Sequence, residues 1–286
     1  MPAEKRVLVI DSTILNALQK CPYYTFLAFN RNLRTKVIAE PLERGDLTHH
    51  ILEHYYLSLK GGAKVDDARD FAADKGRIKY PTLNMDASAC EWIIQSFHLY
   101  VERWRNDGIK VLEVEKAFMI KVYEDDELIV YYSGKIDLIA EFPLIGTATI
   151  DHKSRTRKND ETELNNQFIG YAIATDCNIV YVNEFGLQTS LKPEEKFRRI
   201  PLSYTDGMKA HWLNNVLKYW VRQLDYHLQE NIWPEVWNPW NCKSCVFNQV
   251  CKSSTEEERM RKLQTEYVIG PPWDVSAALE GEPNNG

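Results

Sequence analysis

Between residues 110 and 153 the sequence changes period. On either side, apolar residues recur every three or four positions, the repeat of a helix that buries one stripe. Within it, Val, Ile, Tyr and Phe crowd three runs, residues 110–122, 127–141 and 148–153, whose composition is that of strands. Glu124, Asp125 and Asp126 supply a turn between the first two runs, and residues 142–147 make a short connection to the third. The pattern predicts an antiparallel meander of three strands. A chain that must cover such a meander with helices is confined to a few layered architectures.

The flanks supply those helices. An opening helix is expected over residues 12–29, capped by Asp11 or Ser12 and open to interruption at Cys21-Pro22. Two amphipathic helices follow at 46–59 and 87–105. After the meander come a helix at 161–175, strands at 178–187 and 196–202, and a long helix at 206–231. The expected fold is α/β, with a mixed central sheet and a helical N-terminal elaboration. Residues 1–108 read as that helical region, 109–231 as the core, 232–275 as a cysteine-bearing lobe and 276–286 as a flexible tail. The run Glu256–Lys262 reads as a solvated helix face. No internal repeat is present.

Composition narrows the class. With 286 residues, 44% hydrophobic and 27% charged, the chain is neither collagen-like nor wholly disordered. Its net charge of -6 gives no global sign of nucleic acid, so any such partner requires a local basic patch. No run approaches the roughly 18 apolar residues of a membrane span, and the N-terminus carries no apolar signal region. The expectation is a cytoplasmic protein without membrane contact. Of six cysteines, Cys21, Cys90 and Cys177 stand alone, whereas Cys242, Cys245 and Cys251 fall within ten residues. That cluster suggests a metal site, and Cys90 and Cys177 read as small buried hydrophobes.

Within the second expected strand, the stretch Gly134–Ala140 holds one carboxylate, Asp137, among Ile136, Leu138, Ile139 and Ala140, where an ionised group is costly unless a cation offsets it. The next strand reads Ile150-Asp151-His152-Lys153. Alternation puts Asp151 and Lys153 on one face and His152 on the other. If these strands pair, Asp137 and Asp151 can converge on one hard divalent cation with Lys153 beside it. Gln167 and Tyr171, four apart on the following helix, share a face. In Gly45-x3-His49, spacing alone leaves His49, His50 and His54 as alternatives. The run Ser154–Lys158, with Arg31, Arg34 and Lys36, supplies local positive charge suited to phosphate.

In this order, these residues resemble the PD-(D/E)xK nuclease superfamily, in particular its RecB-like exonuclease branch with an iron-sulfur cluster, which includes AddB-type and CRISPR-associated exonucleases. The resemblance runs from about Ser12 to Cys251. It implies a restriction-endonuclease-like core and a C-terminal iron-sulfur lobe. It selects His49 as a metal ligand with Asp137 and Asp151, and assigns Lys153 as the catalytic lysine. Gln167 and Tyr171 would support the site and contact DNA. Cys21 would join Cys242, Cys245 and Cys251 on a 4Fe-4S cluster, closing the corner that three closely spaced thiolates leave open; four-cysteine zinc has the same ligands.

The resemblance further implies a deoxyribonuclease dependent on Mg2+ or Mn2+, acting from single-stranded DNA ends. Alternatives are a structure-specific endonuclease for flaps or branched DNA, or a non-catalytic DNA- or partner-binding protein. The Pro of the superfamily name is replaced by Ile136, and no helicase motif is present, so a separate helicase, recombination or CRISPR partner would supply any motor.

Overall fold

A computed structural model describes residues 5–36, 39–155, 162–188 and 191–273. The expected cations Arg157 and Lys158, the expected helix start at residue 161 and the expected tail 276–286 lie outside the described residues.

The chain opens with β1 (Arg6–Ile10), α1 (Ser12–Lys20) and α2 (Pro22–Thr25), which runs on as a π-helical turn over Phe26–Asn30. Asp11 caps α1, its carboxylate accepting from the Ile14 N–H at 2.7 Å. The expected helix over 12–29 breaks at Cys21, whose backbone is extended, and Pro22 restarts it as the first helical residue. Then come β2 (Leu33–Thr35), α3 (Glu40–Lys60), α4 (Val65–Lys79) and α5 (Ala87–Trp104). The meander is β3 (Lys110–Glu124), β4 (Leu128–Phe142) and β5 (Gly146–Arg155). It is followed by α6 (Asn166–Thr175), β6 (Ile179–Gly186), α7 (Pro193–Lys196) and β7 (Phe197–Ser203). The expected long helix is α8 (Asp206–His211) and α9 (Lys218–Glu230), joined by π-helical Trp212–Leu217. Short α10 (Pro239–Lys243) and α11 (Asn248–Cys251) carry the clustered cysteines, and α12 (Glu256–Glu266) leads into β8 (Tyr267–Ile269).

Strand β1, helix α4 and the β2–β8 pair were not expected from the pattern. In α4 the buried face is Ala68, Ala72, Ala73 and Gly76, too small to register as an apolar stripe. Its smallness serves close packing, since a Cβ on Gly76 would stand 2.7 Å from Ile51 of α3.

The chain divides into two compact units, taken over their described residues: Met1–Val37 with Met119–Gly134 and Gly207–Gly286, and Ile38–Phe118 with Lys135–Asp206. In the first, β1 pairs in parallel with the start of β4, from Arg6↔Leu128 to Ile10↔Tyr132. Leu27, Ala28 and Leu33 share a core with Phe247, Val250, Leu263 and Tyr267, which seats the cysteine segment against the opening helices. In the second, α3, α4 and α5 bury Ile51, Tyr56, Ile94 and Phe97 in one core with Leu138, Ile150 and Phe185 of the sheet. There β4 and β5 are antiparallel, β5 and β6 parallel, β6 and β7 antiparallel, which makes the sheet mixed.

Candidate active site

All six candidate residues of the carboxylate site belong to the second unit. His49 lies on α3, Asp137 on β4, Asp151 and Lys153 on β5, Gln167 and Tyr171 on α6. The β4–β5 ladder runs from Phe142↔Gly146 up to Leu138↔Ile150. At the next position a side chain takes over: the His152 N–H donates to Asp137 Oδ2 at 2.7 Å. A carboxylate thus stands where a main-chain partner would otherwise be, buried beside Asp151.

Alternation on β5 separates two environments. Asp151 and Lys153 turn towards α6. Lys153 Nζ stands 2.8 Å from Asp151 Oδ2, at ion-pair distance though outside hydrogen-bond geometry, and donates to Gln167 Oε1 at 3.0 Å. Gln167 Nε2 donates to Tyr171 Oη at 2.7 Å, and Tyr171 Oη donates to the Lys135 carbonyl at 2.8 Å. Phe168 lies beneath the ammonium, 5.6 Å from Nζ to its centroid. The helix therefore clamps the lysine through a chain of contacts that ends on β4. His152 points the other way, its ring stacked on Tyr56 at 5.4 Å and its Nδ1 2.8 Å from Asn183 Nδ2. Asn183 also donates to Tyr100 Oη at 2.9 Å, which meets Tyr56 Oη at 2.5 Å.

His49 Nδ1 stands 3.5 Å from Asp137 Oδ2. Of the three histidines that spacing left open, the structure brings His49 to the carboxylates. His50 and His54 pack on each other instead, rings 4.4 Å apart. Burial lowers the His49 pKa, which favours the neutral imidazole that can ligate a metal. Burial, and then the nearby charges of Asp151 and Glu115, push Asp137 well above the usual carboxylate range.

Glu115 was missed by the sequence reading. It sits within β3 at φ 52°, in the left-handed region, and its half-buried carboxylate pairs with Lys135. Its charge bears on both His49 and Asp137, which makes Glu115 a third carboxylate near the site, after Asp137 and Asp151.

Among the described residues no three His, Cys, Asp or Glu side chains are already gathered as a metal centre. The reason at the carboxylates is visible, since Asp137 Oδ2 is held by the His152 N–H and Asp151 Oδ2 faces Lys153. The donor set still suits a hard divalent cation: one neutral imidazole and two buried carboxylates whose mutual repulsion a cation would relieve.

The expected cation patch is partly committed elsewhere. Arg155 Nε lies 3.6 Å from Glu184. In the first unit, Arg34 donates to the carbonyls of Ala28 and Leu33, Lys36 to that of Thr265, and Arg31 stacks over Phe26.

The four candidate cluster cysteines belong to the first unit and line one pocket, with Tyr24 and Phe247. None of the six cysteines is joined in a disulfide, and Cys90 and Cys177 are buried. The Val236 N–H donates to Cys21 Sγ at 3.5 Å, and the Cys242 thiol lies 3.6 Å from the Val236 carbonyl. Burial pushes Cys245 up and Cys251 to about 11, and the other thiols of the pocket add to both shifts. Four sulfurs lining one pocket fit a metal centre that would hold them as thiolates, whether zinc or iron-sulfur.

A family model described as the PD-(D/E)XK nuclease superfamily matches residues 12–252. No curated protein matches the chain significantly. Among solved structures, that titled "Crystal structure of SSO0001" is similar, with 12% identity, 88% of this chain and 90% of that chain covered, and a TM-score of 0.38. Among the described residues no helix is long and apolar enough to cross a membrane.

Proposed function

The chain belongs to the PD-(D/E)XK nuclease superfamily, and from that premise we propose that it is a metal-dependent deoxyribonuclease working as an exonuclease on single-stranded DNA ends. The observation that carries the reading is Lys153, held between Asp151 and Gln167 at the edge of a buried carboxylate pair. His49, Asp137 and Asp151 would hold Mg2+ or Mn2+, which supplies Lewis-acid polarisation of the phosphodiester and a hydroxide at neutral pH. Lys153 has an ammonium aimed by Gln167 and shielded on one side by Phe168. Its remaining protons can donate to the attacking water or to a non-bridging phosphate oxygen. Tyr171, tied to the Lys135 carbonyl, fixes Gln167 and so the lysine; these two are positioning residues in this arrangement. The cysteine pocket would carry a 4Fe-4S cluster that staples Cys21 to the C-terminal segment.

The test is digestion of 5'- and 3'-labelled single and double strands with Mg2+, Mn2+ or neither. Metal-dependent shortening from one end of single strands is expected, with Asp151→Ala at least 100-fold slower. Digestion by Asp151→Ala at the parent's rate would remove this site from the reaction. Internal cleavage of flaps or branched DNA would replace the exonuclease reading with an endonuclease. A brown protein with cysteine-dependent visible absorption is expected; a colourless, anaerobically purified one with stoichiometric zinc would assign the pocket to zinc.

A further inference from the structure

Segment 232–252 leaves two of its three indoles in water. Trp237 is 80% exposed and Trp240 is 86% exposed. Trp233, in contrast, packs with Phe26 and His227, ring centroids 5.4 Å from each. An indole carries a large apolar face, and two bared within four residues mark a surface with a partner. Local structure holds them out. Asn238 caps α10, its side chain accepting from the N–H groups of Trp240 at 2.9 Å and Asn241 at 3.3 Å. Trp237 Nε1 donates to Glu235 Oε2 at 2.7 Å, and Glu235 is anchored by Arg259 at 2.9 Å. That bond satisfies the one polar atom of the Trp237 ring, which borders the cysteine pocket and is otherwise largely exposed.

Within the segment itself the charge has one sign left over. The charged residues of the segment are Glu235, Lys243 and Lys252. Glu235 is engaged, whereas Lys243 and Lys252 are exposed and have no ion-pair partner among the described residues. Lys252 and Trp237 line one open cavity of about 360 Å³ with Asn238, Pro239 and Asn248, and with Cys242 and Cys251 of the cysteine pocket; Trp240 and Lys243 lie outside its lining. Two exposed indoles and two unpaired ammonium groups on one short segment match an unpaired nucleic-acid strand, whose bases stack and whose phosphates are neutralised without sequence being read.

We propose that Trp237 and Trp240, with Lys243 and Lys252, form a stacking platform for unpaired nucleotides of DNA, built wholly within the first unit. The choice of DNA as the polymer rests on the nuclease reading. The experiment is fluorescence anisotropy of labelled oligothymidylate on the full chain with divalent metal withheld, alongside an abasic strand of equal length. The parent is expected to bind oligothymidylate tightly and the abasic strand weakly. Trp237→Ala/Trp240→Ala should weaken oligothymidylate binding by about 10- to 100-fold. The Phe pair should restore most of the affinity, and Lys252→Ala should reduce the salt slope by about 0.7. Equal affinity of the parent and the Ala pair, equal affinity for abasic and normal strands, or no binding by the parent would each overturn the platform. So would indole-dependent self-association that the oligonucleotide does not displace, which would assign the surface to a protein contact. The two readings separate cleanly. Trp-independent binding with Asp151-dependent digestion sinks the platform alone, whereas Trp-dependent binding without Asp151-dependent digestion sinks the nuclease site alone.

Discussion

At the residue scale, the carboxylate site is defined by what each atom already holds. Lys153 has Asp151 on one side and Gln167 on the other, so its removal frees both and leaves a buried carboxylate without its cation. Lys153→Met should lower the digestion rate by about 100- to 10,000-fold, the range of a lost general acid or base. Gln167→Leu should cost less and fall mainly on kcat, because it misplaces the lysine without removing it. Steady-state digestion of an end-labelled strand reads both, and an unimpaired Lys153→Met would end its catalytic assignment. The sequence made Asp137, Asp151 and Lys153 legible because a charge inside an apolar strand is costly, and alternation states which charges share a face. It could not make Glu115 legible. In a regular strand Glu113 and Glu115 would point the same way, yet Glu113 pairs with Lys60 at 2.6 Å and Glu115 with Lys135. The left-handed backbone at Glu115 breaks the parity that the reading relies on.

At the scale of elements, the position of His49 depends on helix α3, and α3 is held by its closest neighbour. Gly76 of α4 comes so near that an added Cβ would meet Ile51 Cγ1 and Cδ1 at 2.7 Å. Gly76→Ala should therefore overpack the interface and destabilise the fold by about 1–3 kcal/mol, against its gain in helix propensity. Gly45, the glycine of the Gly-x3-His spacing, faces Ser154 of β5, where an added Cβ would sit at an ordinary 3.4 Å. Gly45→Ala should be close to neutral. Chemical denaturation of the two variants checks the contrast, and equal losses would contradict this account of the helix contacts. Helix α4 went unread for the same physical reason that Gly76 matters: close packing needs small side chains, and small side chains leave little trace in a hydropathy pattern. The opposite holds for α5 and β4, whose large apolar residues revealed them to within a few positions.

For the molecule as a whole, acid should be destabilising through the buried imidazole of His152 and the partly buried one of His49. Burial holds His152 well below its ordinary pKa and lowers His49 as well. Once unfolded, both take up protons as pH falls through about 6.5, whereas in the folded chain each takes up its proton only at lower pH. The unfolded state then binds more protons, so the contribution of these groups is fully present above that pH and is lost progressively below it. Denaturation midpoints should fall from pH 7.5 to pH 5.5, and by less in a variant lacking His152. An unchanged slope in that variant would place the acid sensitivity elsewhere.

The interleaving of the two units has a consequence for how the protein is made. The second unit is complete in sequence at Asp206, whereas the first is written in three stretches, of which the last begins at Gly207. During synthesis, Cys21 leaves the ribosome long before Cys242, Cys245 and Cys251 exist to meet it, while every group of the carboxylate site has already emerged. Chains fold as their parts become available. The order of translation therefore makes the groups of the carboxylate site available before the cysteine pocket can assemble, so a nascent chain stalled after Asp206 carries the former without the latter.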